Sequence, residues 1–249
     1  VIVTSIMLLT IVSCEDMMGD FLEKAPGVDV TEDTIFSSRS QVEMFLASIY
    51  EYGVHSNLGL GSPDNGAPAI ANSAGTIDAG ATDEAEACAN WYDPQKWNNA
   101  SVSPDNTDDP RFSHRFTAIR KVTVMLDRVD EVPDITKEYA NQLKAESKFI
   151  RALNYFEMFK RYGGVPIIDH RLQLDENLKI PRSSVEDVVN FIVKDCDEAI
   201  PDLPINQLGV LRGRATRGAA LALKARTLLY AASDLFNTDK PYLDFGTNN

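Results

Sequence analysis

Residues 139–166 read YANQLKAESKFIRALNYFEMFKRYGGVP, and the rest of the chain is organised around this stretch. Phe149, Ala152, Leu153, Phe156 and Phe159 recur at i, i+3, i+4, i+7 and i+10, one continuous apolar stripe on a helix face. Glu146, Lys148, Arg151, Asn154, Glu157 and Lys160 fall between them and predict a wetter flank. Gly163 and Gly164 can adopt the left-handed conformation that ends a helix, and Pro166 prevents it from resuming. The spacing predicts a long amphipathic helix over Tyr139–Tyr162 with a hard stop. Ala145-x3-Phe149-x2-Ala152 sets two small residues around one ring, the arrangement by which a tetratricopeptide hairpin admits a close partner helix.

Within this stretch, AESKFIRALNYFEMFKRYGGVPII (145–168) resembles the signature of the RagB/SusD family, surface lipoproteins of Bacteroidetes that capture nutrients. Two later segments resemble the same family: IPRSSVEDVVNFIVKDCDEAIPDLP (180–204) and GRATRGAALALKARTLLYAAS (213–233). The match spreads over most of Phe21 to Ser233 and is weakest between Gly53 and Asp109. It implies an all-α, tetratricopeptide-like superhelical fold with long irregular loops. Family members run to about twice this length, so the chain reads as the N-terminal half without its first residues. Half of a fold is expected to expose apolar surface meant for the other half.

The remaining helices follow from periodicity and caps. Ser40-x-x-Glu43 has the form of a capping box for a helix from Ser40 to Tyr52, with Val42, Phe45, Leu46, Ile49 and Tyr52 as its stripe. Asp109-Pro110 predicts an N-cap and first turn for a helix through Phe112, Phe116, Ile119, Val122, Leu126 and Val129, ending before Pro133. It forms an antiparallel hairpin with the central helix. Ser183-x-x-Glu186 predicts the start of a helix carrying Val185, Val188, Val189, Ile192 and Cys196, halted at Pro201. Thr216 caps Arg217–Leu235, so rich in Ala and Leu that it is expected to be mostly buried, with Ala225-x3-Leu229-x2-Ala232 repeating the small-large-small spacing.

Residues 1–12, VIVTSIMLLTIV, are too short to span a bilayer and have the length of a signal-peptide core. They lead into Ile11-Val12-Ser13-Cys14, which resembles a bacterial lipobox with Cys14 as the lipidated residue, and Glu15-Asp16 resembles a surface-export signal. The expected organisation is a signal peptide over 1–13, a lipid anchor and tether over 14–34, and a helical domain over 35–249.

With 249 residues the chain can bury a sizeable core. A net charge of −13 argues against nucleic acid, whose phosphates require a concentrated cationic footprint. It also disfavours docking onto anionic lipid head groups. Motifs for catalysis are lacking: Gly59-Leu60-Gly61 meets Asp64 where a third glycine belongs, and no P-loop, G-x-S-x-G or H-E-x-x-H occurs. His55, His114 and His170 are isolated. Asp105-x-Thr107-x-Asp109 begins like a calcium loop but carries Phe116 at the twelfth position, which marks a loop and helix cap. Asp83, Glu84 and Glu86 are neighbours in a short helix and form a solvated face rather than a pair flanking a glycosidic bond. Cys88 and Cys196 are two thiols whose pairing the spacing leaves open. No cofactor or metal is expected.

One constellation has positive content. Between Gly53 and Asp109 periodicity is lost, and both tryptophans fall inside this region, in Trp91-Tyr92-Asp93 and Trp97-Asn98-Asn99. Sugar rings present C–H faces edged with hydroxyls, so aromatic rings beside Asp and Asn suit an oligosaccharide. For each ring the alternative is a plug beneath the loops. The family resemblance implies a non-enzymatic glycan-binding lipoprotein of the outer membrane, facing the cell surface, that passes oligosaccharides (sometimes peptides) to a TonB-dependent transporter of the SusC type. A helical adaptor that binds only protein and a glycoside hydrolase are the competing classes.

Overall fold

The computed structural model describes residues 31–55, 82–84, 93–103, 109, 111–173 and 175–237. Among them the fold is helical without strands. The helices are α1 (Glu32–Ile35), α2 (Arg39–Tyr50, prolonged by a π turn over Glu51–His55), α3 (Asp93–Asn98), α4 (Phe112–Arg128), α5 (Lys137–Tyr162), α6 (Val185–Ala199) and α7 (Arg217–Ala231). The all-α expectation holds.

Helix α5 is the spine. It packs on α4 along one side and on α6 along another, and α7 lies against α6. Its first half closes a core with α2 and α4 that contains Val42, Leu46, Ile49, Val122, Met125 and Leu143. Its second half closes another with α6 and α7, containing Tyr155, Phe156, Phe159, Val188, Ile192 and Leu223. Ala145 meets Ala199, Ala215 and Ala220 in a small-residue contact, the close approach its spacing predicts. Phe149 is only half-buried, but it borders all three clusters.

The flank of α5 expected to be wet is instead buried and paired. Glu146, Arg151, Asn154 and Glu157 all lie out of solvent. Arg214 donates two hydrogen bonds to Glu146, each 2.8 Å long. Tyr50 donates a third to it at 2.7 Å and accepts one from the Ala215 N–H. Burial, together with the Glu146 charge, pushes the Tyr50 phenol well above its usual range. Arg151 grips both oxygens of Asp195 at 2.7 and 2.8 Å and donates to the Asp169 carbonyl. Burial works against the Arg151 charge, but the hydrogen bonds to Asp195 and its charge outweigh that, and the guanidinium is held above its ordinary value. Asn154 donates to the Gly53 carbonyl at 3.1 Å. Glu157 pairs with Lys160 and Arg161. A buried charge requires a hydrogen-bonded partner, and every one of these partners comes from elsewhere in the fold or from the next helical turn.

The two glycines that end α5 have different reasons. Gly163 takes φ 66°, the left-handed region, and its N–H caps the Phe159 carbonyl. Gly164 has no such dihedral. A Cβ there would lie 2.0 Å from the Ser183 carbonyl oxygen, because the extended crossover returns past this point and the Ser183 N–H bonds to the Val165 carbonyl.

Several caps differ from expectation by one or two residues. Helix α2 starts after Ser38, whose side chain makes no cap; Asp134 accepts the Arg39 N–H instead, while Glu43 pairs with Arg39 and receives the Tyr139 hydroxyl. Ser184 rather than Ser183 caps α6, with Asp187 answering it. Thr136 caps α5, which starts at Lys137, two residues before the predicted span begins at Tyr139. The larger correction concerns α7. It ends at Ala231 and buries only Ala220, Leu223 and Thr227, while Leu221, Leu228 and Leu229 face solvent. Composition marks a helix as apolar without saying on which side its neighbours stand.

Candidate functional site

Trp97 sits on the last turn of α3, where Pro94 in the first turn leaves no needed N–H unsatisfied. The Asn99 N–H closes the helix onto the Gln95 carbonyl at 3.0 Å, and Ala100 turns the chain away with φ 58°, the single non-glycine residue in the left-handed region among the described residues. Asn99 Oδ1 then accepts the N–H and the hydroxyl of Ser101, at 3.0 and 2.5 Å. Trp97 is 39% exposed, and Asn98 and Asn99, which follow it, are exposed as well. An exposed ring can stack on an apolar sugar face, and exposed amides that follow it in sequence can bond hydroxyls.

Of the six residues expected to hold a ligand, Trp97, Asn98 and Asn99 are therefore set together on one turn. Asp93 opens α3. Trp91 and Tyr92 lie outside the described residues, as do Cys14, Cys88 and Glu86. The predicted short helix around residue 82 is described only over Thr82–Glu84, a turn in which Asp83 and Glu84 are exposed.

Where the loops rejoin the helices, Asp109 has a different role from the predicted helix cap. Helix α4 begins at Phe112 after Arg111, and the Asp109 carboxylate receives the Arg111 N–H, the buried Arg115 guanidinium and the Tyr162 hydroxyl. Burial alone would raise Asp109, but the Arg115 charge and the hydrogen bonds from Arg115 and Tyr162 hold it below the usual carboxylate range. This buried link ties the start of α4 to the end of α5. Phe112, predicted on the apolar stripe, is instead 38% exposed, edge-on to Phe116 and Tyr162 at centroid distances of 5.1 and 5.3 Å. It occupies the first turn of α4, where Phe116 and the end of α5 at Tyr162 cover only part of it.

The other titratable groups are engaged structurally. His170 stands exposed between Asp169 and Glu176. His114 lies edge-on to Tyr52. Cys196 is a buried thiol, pushed by burial up to about 12. No group of His, Cys, Asp and Glu among the described residues has the arrangement of a metal site. No helix among them is long and apolar enough to cross a membrane.

Helical hairpins joined by a segment that carries an exposed aromatic make a scaffold for presenting binding side chains. The model of the SusD-like family described as starch-binding and associating with the outer membrane matches residues 20–229, and the chain belongs to that family. A SusD-like protein of Formosa agariphila is 26% identical over 231 residues, covering 91% of this chain and 42% of that protein. A SusD-like protein of Bacteroides ovatus is 24% identical, with 92% and 38% covered. Among solved structures, a SusD-like protein from Bacteroides fragilis matches with a TM-score of 0.65 at 29% identity, over 83% of this chain and 38% of the other. A laminarin-binding SusD-like protein shares the fold with a TM-score of 0.65 at 22% identity, over 78% and 41%. The chain thus spans well under half the length of the relatives it matches. The family consists of binding proteins rather than enzymes.

Proposed function

We propose that this chain is part of a cell-surface lipoprotein that binds oligosaccharide without altering it and passes it to a TonB-dependent transporter of the SusC type. The observation that carries this reading is the exposed Trp97 ring beside Asn98 and Asn99, in a member of a family described as starch-binding. The helices position the loops, the loops hold the glycan, and the partner moves it. The proposal also assigns Trp91, Tyr92 and Asp93 to the ligand, and an acidic chain of net charge −13 suits a neutral sugar.

The test is calorimetry of the protein, extended to the length of its relatives, against a glycan panel. Trp97→Ala is expected to weaken the bound glycan at least about tenfold, which corresponds to about 1.4 kcal/mol, while leaving the fold intact because the ring is exposed. Unchanged affinity in both Trp97→Ala and Trp91→Ala would place the site elsewhere. Binding of a peptide and of no glycan would keep the transport role and replace the substrate class. Released reducing sugar would favour a hydrolase.

Anchoring is proposed at Cys14, on the apolar run that ends in Val12-Ser13-Cys14. A fatty acid supplied to growing cells is expected to label the wild type and not Cys14→Ala. Equal labelling of the two would remove the lipoprotein assignment.

A further inference from the structure

The turn that joins α4 to α5 leaves a cavity of about 470 Å³ between itself and the first two turns of α5. That volume is in the range of small-molecule sites. The floor is aliphatic. Val132 and Ala140 belong to the buried core shared with α2 and α4, and Ile135 packs on the same cluster, so the floor is fixed from behind by the fold. The walls are polar. Lys137, Asn141 and Lys144 stand at i, i+4 and i+7, one face of α5 about 10 Å long. Asp130 reaches the cavity from the short helical turn Val129–Glu131 that follows α4.

These polar groups are not equally committed. Lys144 holds the Asp130 carboxylate through Oδ2, which leaves that pair neutral. Glu138, next to Lys137 in sequence, directs its carboxylate chiefly to its own N–H and to the Thr136 hydroxyl. Among the described residues Lys137 has no ion pair and the Asn141 amide no hydrogen bond. The cavity therefore offers one uncommitted cation and one uncommitted amide, a helical turn apart, over an aliphatic floor. An ammonium and an amide N–H so placed can bond the same carboxylate, and the floor takes hydrocarbon. A sugar would call for a ring to stack on, and none of the eight lining residues is aromatic. Inorganic phosphate or sulfate would gain nothing from the floor.

We propose that this cavity binds a small aliphatic carboxylate, whose charged end meets Lys137 and Asn141 and whose hydrocarbon lies on Val132, Ile135 and Ala140. A body of about four to six carbons suits a site of this size. A free short-chain acid and an aliphatic amino acid share this chemistry. The amino acid would bring an ammonium as well, for which Asp130 keeps Oδ1 as an acceptor. The site is separate from the proposed glycan contacts, since none of its lining residues belongs to the segment that carries Trp97.

The experiment titrates the protein, extended to the length of its relatives and labelled at its alanine, isoleucine and valine methyls, with 4-methylpentanoate and with leucine, followed by NMR. The Val132, Ile135 and Ala140 methyl signals are expected to shift saturably, with a dissociation constant of about 5 mM or tighter for at least one of the two. Lys137→Met is expected to weaken that binding at least about fivefold, and Asn141→Leu at least about threefold. Both variants should melt within about 2 °C of the wild type, because neither side chain is buried. The uncharged 4-methylpentanamide is expected to leave the signals in place. Tighter binding of leucine than of 4-methylpentanoate makes an amino acid the source of the carboxylate, and the reverse order makes it a free acid. The absence of saturable shifts at about 50 mM of either compound overturns the proposal. So does equal binding of the amide, or an affinity unchanged in Lys137→Met. Equal binding of glucuronate, a carboxylate on a hydroxylated ring, overturns the aliphatic class and makes an acidic sugar the ligand.

Discussion

Asp195→Ala is expected to destabilise the protein by about 3–5 kcal/mol, because it leaves the Arg151 guanidinium buried without its counter-charge. The two side chains are 1% and 6% exposed, and Asp195 occupies both the Nε and Nη2 donors of the arginine. What remains to Arg151 is the Asp169 carbonyl at 3.0 Å and the face of Phe191 at 4.9 Å, neither of which neutralises it. A loss of that size is a large fraction of the roughly 5–15 kcal/mol by which domains are stable. Urea denaturation followed by circular dichroism reads it directly. The paired change Arg151→Met with Asp195→Leu is expected to lose far less than the two single changes summed, since it removes both charges together. Strict additivity in that cycle would mean the two groups are solvated and independent, contrary to their burial.

Phe156→Ala is expected to cost about 3–5 kcal/mol, the range for emptying a fully buried aromatic site. The ring has no solvent exposure and joins α5 to α7, meeting Tyr230 edge-on at 5.8 Å and lying tilted to Phe159 at 6.5 Å. Phe149→Ala is the informative comparison. Both rings sit on the stripe read from the sequence, yet Phe149 is half-buried and retains part of its contact with water in the folded state. Its truncation is expected to cost less. A larger loss for Phe149→Ala than for Phe156→Ala would place the centre of the fold at the junction of the three clusters rather than between α5 and α7.

The two residues illustrate where local pattern stops being informative. A stripe at helical spacing identifies which side chains share a face, and for α2, α4, α5 and α6 that face is the one the fold buries. The depth of burial along the face depends on which helices cross it and where, and that is not encoded in the spacing. Caps behave similarly. Thr216 and its helix start were legible because a lone cap precedes an Ala-rich run, whereas Ser183 and Ser184 are both competent and the tertiary return of the chain past Gly164 selects the second.

The candidate site was legible as a residue type rather than as a shape. Both tryptophans lie where no helix period would place them in a core, and Trp97 is exposed on a short helix whose terminal turn Asn99 holds. The exposure of Phe112 was not legible, because it sits in register with a buried stripe and only its position on the first turn takes it out of the core.

By itself the sequence determined the helical class, the breaks at Gly163 and Pro201, the family segments and the aromatic-amide composition of the stretch around Trp97. Each is a local property, set by backbone preference and side-chain period. The tertiary structure alone decided that the polar flank of α5 is interior, with Arg151 meeting a residue 44 positions away and Glu146 one 68 positions away. It also decided that α7 turns half of its apolar surface outward. Pairing of buried charge depends on which distant segments arrive at the same place, and long-range placement of that kind leaves no mark on the periodicity of either segment.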